Sequence, residues 1–138
     1  MKNKFCATLD AQELVRANGI IVLRNIDEGL TQERVEHGIE LLHAGYGSFI
    51  MMPYADNTYE EAVRVKQSLT RNVGSLILVT HRDHHYRAFL TFLKVMPAIR
   101  FASAPIEALP NDIEFQKILN YQKLKHVASY TDGLKRLQ

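Results

Sequence analysis

The stretch Ser75 to Phe92, SLILVTHRDHHYRAFLTF, constrains the fold more than any other part of the chain. Leu76, Ile77, Leu78 and Val79 form an unbroken apolar run, the pattern of a strand covered on both faces in a parallel sheet. Thr80 to His84 is polar and crowded with ionisable groups. From there Tyr86, Phe89, Leu90, Leu93 and Met96 recur at helical spacing. A strand, a polar turn and a helix in that order form half of a βαβ unit. Open α/β sheets bind ligands at the carboxyl ends of such strands.

The remaining elements repeat this pattern. Asp10 to Asn18 is expected to form a first helix, with Asp10 as its cap and Glu13 at capping-box spacing. Ile20 to Leu23 is the first strand. Thr31 is expected to cap the next helix, in which Val35, Ile39 and Leu42 share a face and which Gly45 ends. Phe49 to Met52 is a second strand, stopped by Pro53. Thr58 and Glu61 form the capping box of a helix that turns Ala62, Val65 and Leu69 inward. After the strand Leu76 to Val79 and the helix His84 to Met96, Ile99 to Ala102 is a weaker fourth strand. Asn111 and Glu114 mark the start of a C-terminal helix over residues 111–138, with Ile118, Leu119, Leu124 and Val127 as its apolar positions. Strands alternating with helices through short connections predict an α/β fold: a three-layer, Rossmann-like, mostly parallel four-stranded sheet with helices on both faces. The expected strand order is 3-2-1-4, with 2-1-3-4 as the alternative. A single domain is expected over residues 1–138.

Composition narrows the function classes. The chain carries 17 basic and 15 acidic residues, too even a balance for non-specific nucleic-acid binding through a basic face. One cysteine, Cys6, permits no internal disulfide and fits a reducing compartment. The longest apolar runs, such as Ile20 to Leu23, are far shorter than a membrane span, and MKNKFCATLD has no apolar signal core. A cytoplasmic protein is expected, without nucleic-acid or membrane partners.

In a parallel sheet every strand-to-helix connection lies at the same edge. These connections carry Arg24, Asn25, Asp27 and Glu28, then Tyr54, Asp56, Asn57, Thr58 and Glu60, then Thr80, His81, Arg82, Asp83, His84, His85 and Arg87, and finally Ser103. The opposite connections are short. Helix starts present unpaired N–H groups and partial positive charge at the same edge, which favours an anionic small molecule. His84 and Arg87, three residues apart, share a face of the first helical turn. The expected catalytic pair is therefore His84 as acid/base and Glu60 orienting it. Arg87, Arg82, Thr58, Thr80, His81 and Arg24 are the expected ligand contacts. A brace between Arg87 and Glu60 and an N-cap role for Asp83 are the structural readings of the same residues. Lys117, Lys123, Lys125 and His126 read as a solvated face.

Several chemistries lack their signatures. His81, Asp83, His84 and His85 have neither H-E-x-x-H nor paired-cysteine spacing, so no metal site is expected. His81-Arg82-Asp83 spells the kinase catalytic tripeptide without the glycine loop or D-F-G. No G-x-S-x-G elbow is present.

Asn57-Thr58-Tyr59-Glu60-Glu61-Ala62, then Ile77-Leu78-Val79-Thr80, then His84, Arg87 and Ala88 resemble the motifs of the YdcF/SanA/ElyC-like domain family. These are a T-x-E-N-A helix start and, after the next strand, T-S-x-x-H-x-x-R-A. Arg34 matches an arginine of that family's first crossover helix, and the resemblance spans about Ile20 to Ala102. It implies a Rossmann-like fold with a ligand site at the carboxyl edge of the sheet, formed here by Thr58, Glu60, Thr80, His84 and Arg87. It also implies a role linked to envelope and peptidoglycan-precursor biology, and S-adenosylmethionine or a nucleotide as ligand. Arg24-Asn25 and Pro53-Tyr54 stand where the family has glycine pairs, Glu61 replaces its asparagine, and His81 its serine. The functions expected on these grounds are hydrolysis or group transfer on an anionic, nucleotide-like molecule, or ligand binding without catalysis, or homodimeric interaction through a sheet edge or the last helix.

Overall fold

The computed structural model describes residues 4–108, 112–122 and 126–138. The elements run α1 (Lys4–Ala11), β1 (Gly19–Val22), α2 (Glu28–His43), β2 (Phe49–Met51), α3 (Thr58–Ser68), β3 (Ser75–Val79), α4 (Arg82–Val95), β4 (Arg100–Ser103), α5 (Asp112–Tyr121) and α6 (Tyr130–Leu137). All three strand pairings are parallel, with Ile21 beside Met51 and Leu78, and Leu78 beside Ser103. The α/β, Rossmann-like architecture expected from the alternating pattern is the one observed.

The strand order is β2-β1-β3-β4, which corrects the expected 3-2-1-4. The reason is burial. Ile20, Ile21, Leu76, Ile77 and Val79 are all completely buried, so β1 and β3 both need a strand on each side and a helix layer on each face. β2 is half-buried throughout and β4 opens on an exposed Arg100, as edge strands can be. An order with β3 at the rim would have left its continuous apolar run uncovered. The correction moves the switch point of the sheet to between β1 and β3, where the chain winds away in opposite directions.

Alternation along the two central strands separates two apolar layers. Ile20, Val22, Ile77 and Val79 face Leu41 of α2. Ile21, Leu23, Leu76 and Leu78 face the other side, against Ala62 and Val65 of α3 and Ala88, Phe89 and Phe92 of α4. Helix α4 is buried nearly all round because the sheet lies beneath it and α3, α5 and α6 flank it.

Local expectations fail where another partner, tertiary or in the adjoining loop, outbids the expected one. The first helix ends at Ala11, where one was expected over Asp10 to Asn18. Phe5, Cys6 and Leu9 are its buried residues, and Asp10 closes the helix as a long-range acceptor in place of capping one. Residues 12–17 are irregular, with Leu14 and Ala17 packing on the thinner layer. Asp27, not Thr31, caps α2 by accepting from the Leu30 N–H at 3.1 Å, because the Thr31 hydroxyl is taken by the backbone of Asn25. The buried face of α2 is Arg34, Gly38 and Leu41, and Ile39 is exposed. Asn57 caps α3 in place of Thr58, accepting from the Glu60 N–H at 2.9 Å. Helix α4 begins at Arg82 with His81 as its cap residue, so Asp83 lies inside the first turn. The single C-terminal helix is two, α5 and α6, with Ser129 capping the second. Ile118 and Val127 are buried and Leu119 is exposed, while Asn111 and Leu124 lie outside the described residues.

Gly38 sits where α2 crosses β1, and a Cβ there would stand 2.6 Å from Val22 Cγ2 and 3.0 Å from Ile50 Cδ1. Helix propensity favours alanine over glycine by about 0.5–1 kcal/mol, whereas overpacking a core costs about 1–3 kcal/mol. Gly38→Ala is therefore expected to destabilise the protein by about 1 kcal/mol. Urea unfolding would show a lower midpoint at unchanged m-value; a raised midpoint would mean that α2 packs more loosely than described.

Candidate functional site

A cleft of about 940 Å³ opens at the carboxyl edge of the sheet, over the switch point between β1 and β3. Its walls are the β1–α2 and β2–α3 connections and the first turns of α3 and α4, closed at one side by Glu114 and Lys117 of α5. Arg24, Arg34, Thr58, Glu61, His81, Asp83, His84 and Arg87 all line it.

The floor is built by Arg34, which is 2% exposed. Its Nη1 donates to the carbonyls of Leu23 and Arg24 at 3.1 and 3.0 Å, and its Nε donates to His81 Nδ1 at 2.9 Å. Helix α2 is thereby tied to the end of β1 and to the residue that follows β3. Burial pushes the guanidinium below its ordinary pKa, opposed chiefly by Glu61. An arginine only donates, so His81 Nδ1 accepts, and the hydrogen on its Nε2 goes to Glu33 at 2.8 Å.

On the wall formed by α4, Arg87 Nη2 donates to His84 Nδ1 at 2.9 Å. The hydrogen of His84 is then on Nε2, which faces the Thr58 hydroxyl at 3.2 Å. Burial lowers the His84 pKa to about 4, with the Arg87 charge acting in the same direction and Glu114 opposing. Arg87 Nε donates to Glu114 Oε2 at 3.4 Å. Burial would raise the Glu114 carboxyl, but His84, Arg87 and Lys117 outweigh it and hold the pKa at about 2.

Glu61 is 3% exposed, and its Oε2 accepts the Arg24 backbone N–H at 3.0 Å. Burial raises its pKa to about 7, against the pull of that hydrogen bond and of Arg34, Arg24 and Arg87. A buried carboxyl balanced near neutrality among three arginines is suited to proton transfer. Arg24 lays its guanidinium over the Tyr54 ring, 4.8 Å from the centroid, and its Nε is buried without a hydrogen-bond partner.

The structure brings His84, Arg87, Thr58, His81 and Arg24 into one cleft, and sets three other expected residues apart from its lining. Glu60 is exposed and folds back toward the Asp56 N–H. Arg82 turns to the β4 side, where Nε and Nη2 grip Glu107 and Nη1 meets Asp10 at 2.9 Å. Thr80 is wholly buried, its hydroxyl without a partner. The brace from Arg87 runs to Glu114. Among the described residues, no three or more His, Cys, Asp or Glu side chains are grouped to hold a metal ion.

Glu61 was readable as more than a cap. It lies three residues after Thr58 and four before Val65, on the inward stripe of α3, while Glu60 does not. Glu114 and Lys117 carry no such local signal, because α5 reaches the cleft only through tertiary packing; Lys117 belongs to the cleft wall and not merely to a solvated face. Comparison with protein-family models, curated proteins and solved structures finds no match to this chain. Among the described residues no helix is long and apolar enough to cross a membrane.

Glu61 gains its proton near pH 7 when folded, against 4.5 for an ordinary glutamate, so its neutral form is the one folding favours. The associated stability is complete below pH 4.5 and is lost as pH rises through about 7. His84 acts oppositely: its contribution is present above pH 6.5 and lost as pH falls through about 4. The two slopes overlap in wild type, so the expected signature is a difference. The stability of wild type minus that of Glu61→Gln should fall between pH 4.5 and 7.5 in urea titrations. A pH-independent difference would show that Glu61 ionises as an ordinary carboxyl.

Proposed function

We propose that this chain is a YdcF-like α/β protein of the cytoplasm that binds an anionic, nucleotide-like small molecule in the cleft between β1 and β3. The observation that carries the reading is Arg24. A buried N–H without a partner costs on the order of 1–3 kcal/mol, and the Arg24 Nε stands in that condition in the wall of a cleft that Arg34, Arg87 and Lys117 also line, among carboxylates. A phosphate or carboxylate accepting from it would offset that cost. The connections after β1 and β2 carry side chains where glycines would allow close backbone approach, so the anion is met by side chains rather than by a backbone cradle. Tyr54, largely exposed at the mouth beside Met52 and Ile26, offers a planar apolar surface for the rest of the molecule.

For hydrolysis or group transfer in this cleft, Glu61 is the acid/base of the proposal. His84 positions Thr58 and Arg87, because Arg87 occupies its acceptor nitrogen. That same arrangement favours a second reading, in which the cleft binds without catalysis: a histidine that already donates to Thr58 and accepts from Arg87 has no lone pair left for substrate.

Thermal-shift measurements with inorganic phosphate, adenosine monophosphate and S-adenosylmethionine test the proposal. A ligand at a hundredfold excess over its dissociation constant adds about 2.7 kcal/mol of stability. At least one of the three is expected to raise the melting temperature of wild type, and Arg24→Gln is expected to remove that rise while leaving the unliganded transition within a few degrees. The reading fails if no probe shifts wild type, or if Arg24→Gln shifts equally.

A further inference from the structure

Helix α4 places two consecutive histidines beside two hydroxyl groups, and the two pairs are wired in opposite directions. His84 accepts from Arg87, so it can only donate to Thr58. His85, 1% exposed, meets the Asp10 carboxylate through Nε2 at 3.0 Å and Ser103 Oγ through Nδ1 at 2.8 Å. A carboxylate only accepts, so the neutral ring carries its hydrogen on Nε2 and its lone pair on Nδ1, facing the serine. Asp10 is itself fixed from two further directions, by the Tyr86 hydroxyl at 2.8 Å and Arg82 Nη1 at 2.9 Å. A nucleophile within hydrogen-bond reach of a base, with the base oriented by a third group, is the arrangement that activates a serine. The ring is turned relative to the usual triad: Nδ1, not Nε2, faces the serine, and Nε2 is held by the acid.

Ser103 ends the edge strand β4, at the carboxyl side of the sheet, and is half-buried. It is separate from the cleft over β1 and β3, whose lining includes none of Asp10, His85 and Ser103. We propose that Ser103, His85 and Asp10 form a second site, a serine nucleophile acting on small carboxylic esters. In the first step Ser103 Oγ bonds to the ester carbonyl carbon as its hydrogen passes to His85 Nδ1. The tetrahedral species then breaks its bond to the alcohol oxygen, which takes that hydrogen and leaves as the alcohol. Water repeats the sequence on the acyl-serine, releasing the carboxylic acid and restoring the Ser103 hydroxyl. Throughout, the Asp10 carboxylate accepts from Nε2 and holds the ring in place. The proposal does not depend on what the β1–β3 cleft binds.

The alternative role for these residues is to tether α1 to the sheet, and the test separates the two. The full chain is assayed for p-nitrophenyl acetate hydrolysis and treated with a fluorophosphonate probe, the modified residue being located by peptide mass spectrometry. Wild type is expected to release nitrophenol and to carry the label on Ser103. Removing a nucleophile that a base activates should lower the rate about 100-fold or more, so Ser103→Ala should fall at least that far. Its melting temperature should fall by no more than several degrees, since the buried His85 Nδ1 loses the Ser103 hydroxyl while the packing is kept. Ser103→Cys should retain the site and be alkylated by iodoacetamide faster than Cys6, which is buried. The proposal is overturned if wild type releases nitrophenol no faster than Ser103→Ala, or if the probe marks another residue or none.

Discussion

The guanidinium of Arg34 is the interaction on which the carboxyl edge of the sheet depends. An arginine that is almost wholly buried needs acceptors, and Nε and Nη1 find three: the first carbonyls after β1 and the imidazole that follows β3. Those acceptors lie just beyond the two central strands, and the donor belongs to the helix that leaves the first of them. The side chain thus sets the distance between β1 and β3 where the chain turns off the sheet. It also fixes His81 as the residue that starts α4. Helix α2 also carries Glu33, which takes the remaining His81 hydrogen and extends the network to the surface.

Around that anchor the charges sort themselves by desolvation. Glu61 and Glu114 face one cleft, yet burial wins at the first and neighbouring cations win at the second, so one carboxyl sits near neutrality and the other far below it. The difference follows from partners. Glu114 has Arg87 and Lys117 beside it, while Arg34, near Glu61, directs its Nε and Nη1 at His81 and backbone carbonyls. A cleft holding one carboxyl that titrates near pH 7 and one fixed carboxylate is asymmetric, as acid–base sites commonly are.

The layer architecture was legible because it rests on local patterns: apolar runs bounded by turn residues, and helices with a readable inward stripe. The strand order was legible in part. Ile20 to Leu23 and Leu76 to Val79 are both unbroken runs of aliphatic residues, and such runs belong in the middle of a sheet; weighing both would have selected 2-1-3-4. Local capping signals misled where a side chain had a distant partner, as at Asp10 and Glu61, or a competing one in the preceding loop, as at Thr31. The gathering of Arg24, Thr58, His81, His84 and Arg87 followed from the parallel sheet alone. The parts of the cleft supplied by α5, and the meeting of Asp10 with His85 some seventy positions along the chain, could not be reached that way. Nothing in a linear pattern states which way a terminal helix folds back.

The sheet is narrow and its rims are brief. β2 offers three residues before Pro53 ends any ladder, and β4 offers four, beginning on a charged arginine. A stray strand approaching either rim would gain only a few rungs of backbone bonding and would meet a proline or a cation at the limit. Self-templated fibre growth therefore has little to start from, and the long apolar runs that hold the fold together stay in the interior, where another copy of the chain cannot reach them.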